Sequence, residues 1–268
     1  MDVSIRIATP QGKEIALDAA FFASYKADQI CEAQGDLRTA IEPLGNAMIE
    51  VFSRRNASNV LQVMWTLGEL QIVYRRHAVG GSFGGTKTPA YLAMNPNARI
   101  PTIKDGAFVL WESNAIVRYL CRRYDRTSIL LPNDEETYAL ADQWMDWYKT
   151  TLYPAYIDLV WSIVRTEPPL RDRRRISEVK ELTEQRLAIF DRQLGRTGFV
   201  LGSRLSMADI PFGGLVYRYL SLDIGRPRFP HIEAWYSRLC ERSAYQEHVM
   251  LPFGTEPGEW YRLEREYA

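Results

Sequence analysis

Apolar positions along this chain change period near its middle. Residues 48–53 (MIEVFS) alternate apolar and polar, the signature of a strand with one buried side. Residues 59–70 (NVLQVMWTLGEL) then place Val60, Val63, Met64 and Leu67 on one helical face. A second strand is expected over residues 72–78, and a loop holding two Gly-Gly pairs follows at 80–85. The loop lacks the GxxxxGK[ST] order of a phosphate loop and reads as a flexible segment beside a ligand. A short helix over residues 88–94 leads to two apolar runs, 99–103 and 107–111, around a Lys104-Asp105-Gly106 turn, which predict a tight antiparallel hairpin. Ala115, Ile116, Tyr119 and Leu120 continue at helical spacing behind Ser113, placed where an N-cap belongs.

Beyond a polar, proline-containing linker between Tyr124 and Asp134, only helical periodicity remains. Residues 135–161 carry Trp144, Trp147, Tyr148 and Tyr156 at spacings near three and four, with Pro154 expected to kink or break the run. Residues 171–175 (RDRRR) precede an amphipathic helix expected over 176–194 and read as a solvated face, because no aromatics interleave the charges. Residues 205–210 (LSMADI) form a capping box in which Ser206 and Asp209 bond each other's backbone N–H while Leu205 and Ile210 staple the entry. Trp260, Leu263 and Tyr267 give the tail a narrow apolar stripe able to pack back over a cleft. The division expected from these patterns is an extension over 1–47, a mixed domain over 48–126 and an all-helical domain over 134–268. In the extension, a small hairpin is expected about residues 10–13 and a helix over 18–40.

Composition narrows the partners. Among 268 residues, Lys plus Arg and Asp plus Glu number 33 each, so no overall field draws nucleic acid or an anionic membrane. Cys31, Cys121 and Cys240, with His77, His231 and His248, show neither CxxC nor HExxH spacing, so no metal is expected and a reduced, cytoplasmic setting is. No apolar run approaches the ~20 residues of a membrane span.

Two features of the hairpin call for chemistry. Pro101 in the first strand marks either an edge or a cis turn, and both leave backbone groups of Ile100 free to pair with an extended peptide. At the following junction, a helix N-terminus suits a carboxylate while Glu112 suits an ammonium, together a pocket for an α-amino-acid head group. Taken singly, Ser113 is an ordinary cap and Glu112 an ordinary complement to the helix dipole; their order behind Ile100-Pro101 favours the pocket.

On NPNARIPTI, WESNAIVRYL and LSMADI, the chain resembles the cytosolic glutathione transferase superfamily, over roughly four fifths of its length. The resemblance implies an α/β thioredoxin-like N-terminal domain followed by an all-α helical domain, a homodimer, and a detoxifying transferase. Glutathione would be co-substrate and a small hydrophobic electrophile its partner, with no metal, nucleic acid or membrane involved. It further implies glutathione binding by Arg99, Ile100, Pro101, Glu112 and Ser113, with the cysteinyl unit pairing with the Ile100 main chain and the γ-glutamyl group held by Glu112 and Ser113. Trp144, Trp147 and Tyr148 become candidates for the electrophile side, and Ser206 and Asp209 a structural box. The thiol must be stabilised as thiolate by donors near a helix N-terminus. The serine many relatives use there falls at Ala57, which has no hydroxyl, so the expected activator is Asn59, then Ser58, with Arg55 as electrostatic helper. Each is equally readable as an N-cap or a surface charge. Glutathione-dependent disulfide reduction or peroxidase activity, and a non-catalytic binding protein, stand as alternatives.

Overall fold

The computed structural model describes residues 5–8, 14–17 and 48–266. The chain divides at Met48 into two units. In the first, β1 (Ile5–Ala8) and β2 (Glu14–Leu17) pair antiparallel from Ile5↔Leu17 to Ala8↔Glu14, the hairpin expected about residues 10–13. The helix expected over 18–40 lies outside the described residues.

The second unit begins with a four-stranded sheet. Strand β3 (Ile49–Ser53) takes a central place, with β4 (Tyr74–Ala78) parallel on one side and β5 (Thr102–Asp105) antiparallel on the other; β6 (Phe108–Trp111) closes the far edge. Helix α1 (Ser58–Glu69) is the crossover from β3 to β4, followed by α2 (Pro89–Met94) and, after the hairpin, α3 (Ser113–Tyr124). The hairpin differs from expectation in register: Asp105 pairs with Phe108, leaving Gly106 at φ +60° and Ala107 as the turn, and the β3–β5 pairing starts at Thr102, after Pro101.

Helix α1 was expected to bury one face, yet every residue from Val60 to Leu67 is buried. Val60, Val63, Met64 and Leu67 join Ile49, Val51, Ile103, Ile116 and Leu120 under the sheet, while Leu61 and Trp65 enter the larger core of the helical half. A helix shared by two cores has no polar face to display.

The helical half comprises α4 (Glu135–Trp147), a π-turn (Tyr148–Leu152), α5 (Tyr153–Val164), α6 (Arg173–Thr197), α7 (Ile210–Ser221), α8 (Pro230–Cys240), α9 (Ser243–His248) and α10 (Pro257–Glu266). The run expected to kink or break at Pro154 stays helical without a gap from Glu135 to Val164, and the irregularity is a π-turn just before the proline, over Tyr148–Leu152. The arginine run lies inside α6: Asp172 caps the N–H groups of Arg174 and Arg175, and Arg173 to Arg175 are exposed. Glycines let α7 approach α1, for a Cβ on Gly213 would lie 2.5 Å from Trp65. Arg242 adds a bidentate ion pair to Glu69, at 2.7 and 2.6 Å.

The 205–210 box is only half of the expected kind. Ser206 N–H donates to Asp209 Oδ2 at 3.0 Å, but the Ser206 hydroxyl donates to the same oxygen, at 2.9 Å, rather than capping Asp209 N–H. Asp209 Oδ1 also accepts from Val200 N–H and the Trp235 indole. Asp209 is thus a fully buried hub joining three segments, and burial raises its carboxyl to about 6 against the pull of these donors. Among the described residues, no helix is long and apolar enough to cross a membrane.

Candidate functional site

A cleft of about 230 Å³ opens between the sheet unit's loops and the helical half. Its floor is the start of α1, where Ala57 caps the helix with extended backbone and no side-chain bond, and Ser58 and Asn59 follow in the first turn. Free N–H groups there make a site of positive potential. The Ser58 hydroxyl oxygen accepts from Arg218 at 2.7 Å, which leaves its hydrogen available as a donor. Asn59 Oδ1 accepts from the Lys149 ammonium.

The facing wall is the segment before β5. The Arg99 carbonyl accepts from Tyr91 Oη at 2.7 Å and Asn95 Nδ2 at 2.9 Å, and both side chains also reach Thr102 Oγ1, so α2 and its exit loop position residues 99–102. The Ile100–Pro101 bond is cis. Ile100 lies in the cleft, outside the β3–β5 pairing, and packs against Gly80, where a Cβ would sit 3.1 Å from it at φ +87°.

Helices of the other half complete the cavity. Tyr153, Ile157, Trp161 and Arg165 come from α5 and its C-cap, Arg218 from α7 and Trp260 from α10. Burial raises the Tyr153 phenol, with Arg218 and Ser58 opposing, so it stays a neutral donor at ordinary pH. The tail packs back on the glycine loop: Glu264, buried, accepts from Ser82 N–H at 2.8 Å and pairs with Arg54. A side chain at Gly81 would lie 2.8 Å from that carboxylate.

Family comparisons agree with this architecture. Residues 47–122 match the family described as glutathione S-transferase, N-terminal domain, and residues 152–243 match glutathione S-transferase, C-terminal domain. Glutathione S-transferase GstB of Escherichia coli K12 is 33% identical over 207 residues, which span 76% of this chain and 99% of that one. The chain belongs to the glutathione S-transferase family. Among solved glutathione S-transferases, the theta-class enzyme of Xanthomonas axonopodis pv. citri with glutathione bound is 43% identical at a TM-score of 0.74, covering 77% of this chain and 99% of that chain. One from Bombyx mori is 25% identical at a TM-score of 0.69, covering 81% and 97%.

Within this glutathione S-transferase chain, Asn59, Ser58, Arg99 and Ile100 come together on the cleft, and Pro101 is buried behind them. Glu112 and Ser113 stand outside the cavity lining, at the start of α3. Glu112, not Ser113, occupies the N-cap, at φ +69°, a conformation that costs a non-glycine residue about 1–3 kcal/mol and is concentrated at functional sites. The Ser113 hydroxyl is buried and lacks a hydrogen-bond partner among the described residues, as suits a donor to a ligand carboxylate. Lys149 links the two corners: burial, the larger influence, and Arg99 press its pKa down, while the charge of Glu112 raises it.

Two expected placements differ. Arg55 reaches the Glu247 carbonyl at 3.1 Å and does not line the cleft; Arg54 does. Tyr148 is a core residue and Trp144 and Trp147 are half-buried against the core, all three packed about Phe212 and none lining the cleft; Tyr148 and Phe212 lie 5.1 Å apart in edge contact. Core and cleft aromatics share one period, and the cleft face belongs to the next helix, α5. Sequence reasoning missed Lys149, Tyr153, Arg165 and Arg218. Only Arg218 left a trace, as the lone charge in the otherwise uncharged α7.

Proposed function

We propose that the cleft binds glutathione and adds its sulfur to an electrophile. The cysteinyl unit lies along Ile100, the γ-glutamyl head group at Glu112 and Ser113, and the thiol at the first turn of α1. There the Asn59 amide and Ser58 hydroxyl donate to the sulfur, and the helix N-terminus favours the thiolate. The thiol proton leaves to solvent, sulfur forms a bond to the electrophilic carbon, and the leaving group departs with the electrons of the broken bond. Residues 48–126 form the glutathione half and residues 134–268 the electrophile half, in a cytoplasmic homodimer.

The observation that supports this most is the meeting of Ile100 and Asn59 in one cavity. Glutathione titration followed by tryptophan fluorescence, from Trp161 and Trp260 in the cleft, should show saturable quenching. Ultraviolet thiolate absorbance should show the bound thiol ionising below its free-solution pKa. Absence of binding removes the reading, and binding with an unshifted thiol reduces it to a glutathione-binding protein. Light scattering that gives a monomer removes the dimer.

A further inference from the structure

We propose that the electrophile half of the cleft is built for a co-substrate that carries an anionic group, such as a carboxylate or sulfonate, on an aromatic frame. The inference rests on the transferase reading of this cleft and adds the charge of the second substrate. Of the 17 described residues that line the cavity, four are arginines and none is acidic. Arg99 stands on the wall with Ile100; the other three converge on one indole. The guanidinium carbons of Arg54, Arg165 and Arg218 lie 5.9, 4.6 and 5.3 Å from the Trp260 ring centroid.

Their partners do not balance their charge. Arg54 pairs with Glu264. Arg218, fully buried, donates to the neutral Ser58 hydroxyl and to the Asn56 carbonyl. Arg165 has no carboxylate partner among the described residues, and its Nε is buried without a hydrogen bond. Two positive charges thus remain uncompensated in a partly buried cleft. Burial and the neighbouring guanidiniums lower Arg54 to about 10 and lower Arg165 as well. Cation–π contact with Trp260 offsets only part of that cost. An anion paired with Arg165 offsets its repulsion with Arg54 and Arg218 and gains charge-assisted hydrogen bonds. Trp161, half exposed and 5.6 Å from Arg165, gives the entrance a flat apolar wall beside Trp260, suited to an aryl group.

The test compares an acid with its own ester, which removes the charge and keeps the aryl frame. Turnover of para-chloro-dinitrobenzoate and of its methyl ester by the full chain with glutathione is corrected for the uncatalysed rates. The acid should show the higher kcat/KM by about tenfold, the scale of one charge-assisted bond. Arg165→Met should collapse that preference, and Arg165→Lys should restore part of it. An ester preferred in the wild-type protein, or a preference unchanged in Arg165→Met, overturns the inference. Calorimetry with para-nitrobenzoate in saturating S-methylglutathione separates this outcome from failure of the transferase reading. Binding that is lost in Arg165→Met supports the anion site even where neither electrophile turns over. No binding, or binding abolished by S-methylglutathione, overturns it, the latter by giving the arginines to glutathione.

Discussion

Lys149 Nζ donates to Asn59 Oδ1 across 3.3 Å, joining the π-turn of the helical half to the first turn of α1. With its oxygen engaged, the Asn59 amide keeps Nδ2 as the donor for the cavity it lines. The bond therefore orients the side chain expected to meet the sulfur, and places a cation one residue from it.

Replacing Asn59 with Ala should lower kcat by about 10- to 100-fold, the scale of one hydrogen bond to a charged group, while glutathione affinity changes little. Steady-state kinetics with a separate binding titration check this. An unaffected kcat takes Asn59 out of the mechanism and leaves Ser58 and Tyr153.

Glu112→Ala should act the other way. Loss of the carboxylate proposed to face the glutathione ammonium should raise Kd by about tenfold or more, with kcat at saturating glutathione nearly kept. Calorimetry measures it; retained affinity places the head group elsewhere.

Asp209→Ala strands four buried donors and should destabilise the fold by about 2 kcal/mol or more at pH 7. The pH dependence has a definite sign. The folded carboxyl, at about 6 against an ordinary 3.8, binds its proton more tightly than the unfolded one. Its contribution to stability is therefore greatest below about pH 4 and declines as pH rises to about 6. The gap between wild type and variant in denaturant unfolding should narrow from pH 4 to pH 7, by up to about 3 kcal/mol. A gap that widens contradicts the raised carboxyl.

Gly213→Ala sets two effects against each other. Helix propensity favours alanine by about 1 kcal/mol. Overlap with the Trp65 and Tyr245 rings, at 2.5 and 3.0 Å, costs about 1–3 kcal/mol and should win, with Tm falling by a few degrees. Gly214→Ala, which meets only the movable end of Leu61 at 3.0 Å, should be milder, and Gly258→Ala, with no neighbour within 4 Å, should stabilise. Equal melting temperatures for all three would show that the helix contact yields.

Much of this fold is legible in the sequence. The alternation of residues 48–53, the period of residues 59–70 and the turn residues of the hairpin each have a local physical cause, and each element lies within a few residues of its expected place. What stayed hidden is what only tertiary contact decides. The second buried face of α1 exists because Gly213 and Gly214 admit Trp65 and Leu61, residues about 150 positions away. The arginine cluster gathers single residues from three distant segments, of which only Arg218, the lone charge of α7, stands out in the sequence. Glu112 at positive φ has no cue either, since glutamate is not a residue that favours that conformation. Aromatic spacing alone did not distinguish α4, facing the core, from α5, facing the cleft.

The bond from Ser82 N–H to Glu264 joins residues 182 positions apart. At a synthesis rate of roughly 5 to 20 residues per second, the glycine loop leaves the ribosome about 10 to 40 seconds before its partner helix exists. Through that interval the nascent sheet unit holds Ile100 and Asn59 but not the wall bearing Trp260, so a chain arrested short of α10 has only a partly built cleft. The cavity described above is thus closed only once α10 has docked, whatever the order in which its other walls form.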